Sequence, residues 1–168
     1  SCYDTFTKRY ITFVVATSQI DETPKENGCF DPARHDLLTY EDEKSLLVDF
    51  CEYIKSTDFD IVSGWNSSDF DVPYILGRMT ALGIPRDAWA RLHTGNTDRI
   101  EIKGRQLFDL LAGYKRMHLG EQPSYRLDAI AAAELGKQKV RFAGKVYDLW
   151  KDDPTNLVFY NFTDVELC

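Results

Sequence analysis

The chain has 168 residues, 43% of them hydrophobic and 13% aromatic, which fits one globular domain with a sizeable core and excludes a disordered chain. Its formal net charge is −7, with the negative excess in the first half; this argues against a general nucleic-acid coat, but not against an enzyme whose acidic site is filled by divalent ions. No apolar run approaches the roughly 18 residues of a membrane span, and no charged-then-apolar leader follows Ser1, so nothing points to secretion.

In chain order, residues 10–16 (YITFVVA) are β-branched and aromatic and predict a strand. Residues 17–39 hold Pro24, Gly28 and Pro32 and read as a long loop. Over 41–56, Leu46, Leu47, Phe50, Tyr53 and Ile54 share one helical face behind an acidic start. Residues 59–65 form a short strand. A helix follows over 72–82, with Pro73 in its first turn and Gly83 at its end. Residues 99–108 predict a hairpin around Lys103-Gly104. Helices follow at 110–117 and 125–135, the second stopped by Gly136, and at 155–167 after Pro154. Strands alternating with helices mean α/β.

Cys2, Cys29, Cys51 and Cys168 form no C-x-x-C pair, and His35, His93 and His118 are scattered. That spacing argues against a structural zinc site or a disulfide scaffold, and a reducing, intracellular compartment is the default.

Chemistry concentrates in two segments. In GWNSSDFD (64–71) a strand ends, a polar loop turns and a helix begins at Asp71, where open α/β sheets gather ligands. Taken alone, an Asp before a Pro-containing first turn reads as an ordinary helix cap. In YNFTD (160–164), Tyr160 and Asp164 stand four apart and share a helix face, with Val158, Phe162 and Val165 as the buried stripe. Taken alone, that pair reads as the solvated face of an amphipathic helix.

Together, N-x-x-x-F-D after a strand and Y-x-x-x-D on a later helix resemble the second and third exonuclease motifs of family B DNA polymerases. YEDEKSLLVDF (40–50), DFDIVSGWN (58–66), GRQLFDL (104–110) and PSYRLDAI (123–130) are similar to that family's segments in the same order, and the resemblance runs from about residue 11 to 168. It implies an α/β, ribonuclease-H-like exonuclease fold, a mixed sheet flanked by helices, with residues 1–168 forming part of a proofreading domain. It implies two-metal, Mg²⁺- or Mn²⁺-dependent removal of the 3′-terminal nucleotide. Asp71 and Asp164 would be metal ligands. Tyr160 matches the tyrosine that orients the attacking water, and Asn66 and Phe70 match positions around the terminal nucleotide. Lys139 aligns with a lysine that assists catalysis in phage-like members; a surface lysine in a basic loop is the alternative, and Lys137 or Arg141 could equally be meant. The implied partners are a single-stranded 3′ end and a polymerase domain in the same polypeptide, with no membrane. An intracellular setting, in a prokaryote or a phage-infected cell, goes with them.

The family's first motif, D-x-E on the first strand, should precede residue 11 and is missing from its place. Asp21-Glu22 are adjacent and lie after the strand they should precede, and the sole D-x-E is Asp164-Val-Glu166. The expectation is an N-terminally truncated domain that lacks the first strand and is inactive as given, with the 61–65 strand losing a neighbour. Three readings stand: a fragment of a replicative polymerase, a free-standing exonuclease of the same superfamily, or a non-catalytic exonuclease-like module that binds DNA.

Overall fold

A computed structural model describes residues 1–16, 20, 31, 33–92, 101–118, 120–137 and 146–168. The chain divides into two compact units, one made of Ser1–Asp42 with Ser124–Cys168, the other of Glu43–Pro123. Both mix strands with helices, in line with the α/β expectation.

In the first unit, β1 (Cys2–Asp4) and β2 (Arg9–Val15) run antiparallel, and β3 (His35–Tyr40) pairs parallel with β2 from Tyr10↔His35 to Val15↔Tyr40. The result is a mixed three-stranded sheet with β2 in the middle. Asp4 builds the β1–β2 turn. Its carboxylate accepts from the Phe6 amide at 2.8 Å, the Thr7 amide at 3.3 Å and the Thr7 hydroxyl at 2.6 Å. Burial pushes this carboxyl up, but those hydrogen bonds outweigh it and hold its pKa below the ordinary range. Arg9 clasps Asp36 across β2 and β3 at 2.7 and 2.5 Å.

The helices of this unit are α4 (Leu127–Leu135), α5 (Val146–Asp152) and α6 (Pro154–Leu167). Gly136 terminates α4 in a left-handed conformation. Pro154 opens α6, and the Asp153 carboxylate caps it by accepting from the Asn156 amide. Val158, Phe159 and Phe162 of α6 pack on Tyr10 and Ile20 to form the core.

In the second unit, α1 (Glu43–Thr57) and α2 (Asp71–Ala81) bury Leu47, Cys51 and Ile54, and Val72, Leu76 and Met79, respectively. These are helix-face spacings. Val62 of β4 (Ile61–Gly64) and Leu107 of β5 (Gln106–Asp109) pack on the same core. β4 and β5 form a two-stranded parallel sheet, and α3 (Leu110–Met117) follows β5 directly. Trp89, Met79 and Ile102 are fully buried, each worth about 1.5–3 kcal/mol over exposure. Burial pushes the Cys51 thiol up to about 11, so it stays protonated and inert.

Arg105 ties the start of this sheet. Its side chain is 1% exposed; it donates to the carbonyls of Trp89, at 3.1 Å, and of Phe59. Gly104 precedes it at φ 82, and a Cβ there would stand 2.7 Å from the Arg91 Cβ.

Two expectations are corrected. Residues 17–19, 21–30 and 32 of the 17–39 loop lie outside the described residues; residues 35–39 belong to β3, whose strand state is set by pairing with β2. The 99–108 hairpin has its turn, with the Arg105 amide donating to the Ile102 carbonyl, but the strand leaving it pairs parallel with β4, a far partner, instead of folding back. The short elements β1 and α5 were not expected. No helix among the described residues is long and apolar enough to cross a membrane.

Candidate active site

β4 and β5 end level with each other, at the pair Gly64↔Asp109. Beyond that edge, residues 65–70 make a tight loop into α2. Asn66 takes the left-handed conformation, φ 61, which Asn tolerates better than most side chains. Its carbonyl accepts from the amides of Asp69 and Phe70, and the Ser67 carbonyl accepts from the Val72 amide at 2.9 Å. Ser67 is buried, and its hydroxyl turns back to the Gly64 carbonyl at 3.3 Å. Trp65 packs against Tyr114 of α3.

The loop presents two of the expected site residues to solvent. Phe70 is 67% exposed, and Asp71 is exposed at the first position of α2. The residue in the N-cap position is Phe70, so Asp71 is not the cap that its sequence context suggests when read alone. A carboxylate in the first turn is favoured by the helix dipole, and Asp71 lies beyond the strand ends, where open α/β sheets gather ligands.

A second carboxylate lies within this unit. Asp109 is the N-cap of α3, its Oδ1 accepting from the Ala112 amide at 3.1 Å. Its Oδ2 accepts from the Ser68 amide at 2.9 Å. Burial pushes its carboxyl up, but amides from Ser68, Ala112, Leu111 and Asn66 outweigh burial and hold it below the ordinary range. The sequence left Asp109 between the 99–108 hairpin and the 110–117 helix with no role; its signal was an Asp between a strand and a helix.

In the first unit, Tyr160 and Asp164 stand a turn apart on α6. Val158 and Phe162 are buried, and Val165 packs against the same core, as the stripe predicts. Tyr160 is half-buried, and the Oδ1 of Asp164 is shielded from solvent. This is not the solvated face that the pair suggests in isolation. Lys139 and Arg141 lie outside the described residues, and Lys137 pairs with Glu166 at 2.7 Å. The site residues thus come as two groups, Asn66, Phe70 and Asp71 in one unit, Tyr160 and Asp164 in the other.

Asp71 and Asp164 are hard oxygen donors of the kind Mg²⁺ and Mn²⁺ take. Among the described residues, however, no three His, Cys, Asp or Glu side chains converge as a metal set. The described side chains therefore do not by themselves make up a two-metal site.

The family described as DNA polymerase family B, exonuclease domain, matches residues 1–130. The chain belongs to this family. The match takes in the whole 64–71 segment and Asp109; α6 lies beyond it. Among relatives, the DNA-directed DNA polymerase of Escherichia phage RB69 is 28% identical over 140 residues, 76% of this chain and 16% of that polymerase. The DNA-directed DNA polymerase of Enterobacteria phage T4 is 26% identical over 158 residues, 87% of this chain and 17% of that polymerase. A DNA polymerase of Thermococcus litoralis is 29% identical over 135 residues, 73% of this chain and 8% of that enzyme. This family B exonuclease-domain chain therefore spans about a sixth of the phage polymerases it matches.

Proposed function

We propose that this chain supplies part of the 3′→5′ exonuclease domain of a family B DNA polymerase, inactive by itself for want of the first D-x-E motif, and that the full-length protein acts on a single-stranded 3′ end delivered by a polymerase domain of the same polypeptide. The observation that carries this reading is the exposed Asp71 at the start of α2, beyond the level ends of two parallel strands, inside the segment that the family match covers. The whole of 1–168 is taken as part of one ribonuclease-H-like domain working inside the cell.

The roles divide by chemistry. The exposed Phe70 ring offers a stacking face to a frayed terminal base, and such stacking is worth about 1–3 kcal/mol per base. Asn66, held by its left-handed turn, would contact the same nucleotide. Tyr160 would orient the attacking water through its hydroxyl. Asp71 and Asp164 would be two of the ligands for Mg²⁺ or Mn²⁺, which when bound would supply an activated water.

The test is release of a labelled 3′-terminal nucleotide from single-stranded DNA by the full-length protein. Asp71→Ala should abolish Mg²⁺-dependent release while leaving the fold intact. Near-native release by that variant would place the chemistry elsewhere.

A further inference from the structure

We propose that Asp109 is a positioning residue for the exonuclease reaction, holding the backbone of the Asn66–Asp71 loop so that Asn66, Phe70 and Asp71 face the substrate in one fixed arrangement. This rests on the active-site reading above and deepens it.

The geometry is specific. The Asp109 carboxylate spends its two oxygens differently. Oδ1 accepts from Ala112 at 3.1 Å and starts α3. Oδ2 reaches 41 residues back along the chain to the Ser68 amide at 2.9 Å, and the Asn66 amide also donates to this carboxylate. Asn66 and Ser68 lie on either side of the buried Ser67, so one carboxylate fixes the loop at two amides. Without this carboxylate both amides would lose their acceptor at a strand end.

The anchoring has a kinetic consequence. Asp71 begins three residues after Ser68, and Phe70 two residues after it, with no helical scaffold between. Fixing Ser68 therefore fixes where the Asp71 carboxylate and the Phe70 ring emerge. A misplacement of about 1 Å at a reacting group can cost on the order of 100-fold in rate. Helix capping alone does not need the second oxygen; Asn caps as well as Asp. An amide side chain, however, offers one acceptor oxygen and turns an N–H₂ toward the remaining backbone donors.

The experiment uses the full-length protein with Asp109→Ala, Asp109→Asn and Asp71→Ala, each followed in two ways. Hydrogen exchange reads the Asn66 and Ser68 amides, and single-strand digestion well below the melting temperature gives kcat and KM. Loss of Ser68 protection should come with a fall in kcat of about 10- to 100-fold and little change in KM. Asp109→Asn keeps an acceptor for the α3 cap and should melt no lower than Asp109→Ala. Unchanged protection at Ser68 in both Asp109 variants overturns the proposal. Lost protection with native kcat, where Asp71→Ala is dead, overturns it too. Full activity in Asp71→Ala sinks the active-site reading instead, and the exchange data then still decide whether Asp109 anchors the loop.

Discussion

Gly64 and Ser67 approach so closely that a Cβ at position 64 would stand 3.1 Å from the Ser67 Cβ. The last residue of β4 is thus a glycine because the chain must turn under itself before α2. Gly64→Val should force Ser67 outward. It should cost about 1–3 kcal/mol, the range for overpacking, and displace Asn66 and Phe70 with it. The check is a denaturant titration beside 3′-nucleotide release; activity should fall by more than the loss of folded protein accounts for. A variant with native activity would show that the loop tolerates a shift.

Arg78 of α2 forks onto Glu43 of α1 at 2.7 and 2.5 Å, linking the site helix to its neighbour. The Arg78 hydrogen bonds hold the Glu43 carboxyl below its ordinary pKa. Its contribution to stability is therefore complete above the unfolded value, roughly 4.3, and is lost as pH falls through the lower folded value. Both side chains are about two-fifths exposed, so solvent screens the pair and its effect is modest. Asp36, lowered first by its hydrogen bond from Arg9, behaves in the same direction. Thermal midpoints of the native protein and Glu43→Gln should differ at neutral pH and converge as pH falls through the lowered folded value. A constant difference across that range would show that the pair carries no charge-dependent stability.

Arg105 predicts a larger effect. Burial lowers the pKa of its guanidinium, nearby Arg91 adds to this, and Asp58 at 3.4 Å opposes them. Arg105→Met leaves the Phe59 and Trp89 carbonyls without their donor and should cost about 1–3 kcal/mol, the range for leaving a buried acceptor unsatisfied. Arg105→Lys has no planar fork and should recover only part of this. Urea denaturation measures it; a loss below about 1 kcal/mol would mean that water replaces the side chain.

The 64–71 segment was legible because its grammar is local: a glycine at a strand end, an Asn that tolerates a left-handed turn, and Pro73 in the next first turn. α6 was legible for the same kind of reason, since Pro154 and the 158/162/165 stripe fix both its start and its buried face. β3 was not, because it follows a Pro- and Gly-bearing stretch and opens on His35 and Asp36, poor strand formers until β2 supplies a partner. The 99–108 segment misled for a related reason. Gly104 marks a real turn, but the following strand's partner is β4, and local sequence does not carry a parallel register. Asp109 was missed on those grounds: its tie to Ser68 exists only once Gly64 and Asp109 are opposed.

Tyr160 and Asp164 carry the last prediction, because α6 shows them neither as core nor as a solvated face. Tyr160→Phe keeps the half-buried ring and removes one hydroxyl. If that hydroxyl orients the attacking water, the rate should fall by about 10- to 1000-fold, with unchanged affinity for single-stranded DNA. Asp164→Asn keeps shape and volume and removes the charge. The variant should keep a cooperative melt while losing orders of magnitude in rate. Such a split, stability kept and turnover lost, is what a purely structural acid would not give. Single-turnover digestion, binding and thermal melts on the same preparations decide it. Native turnover in Asp164→Asn would remove α6 from the chemistry. Weakened binding with native turnover in Tyr160→Phe would move that residue from water orientation to substrate contact.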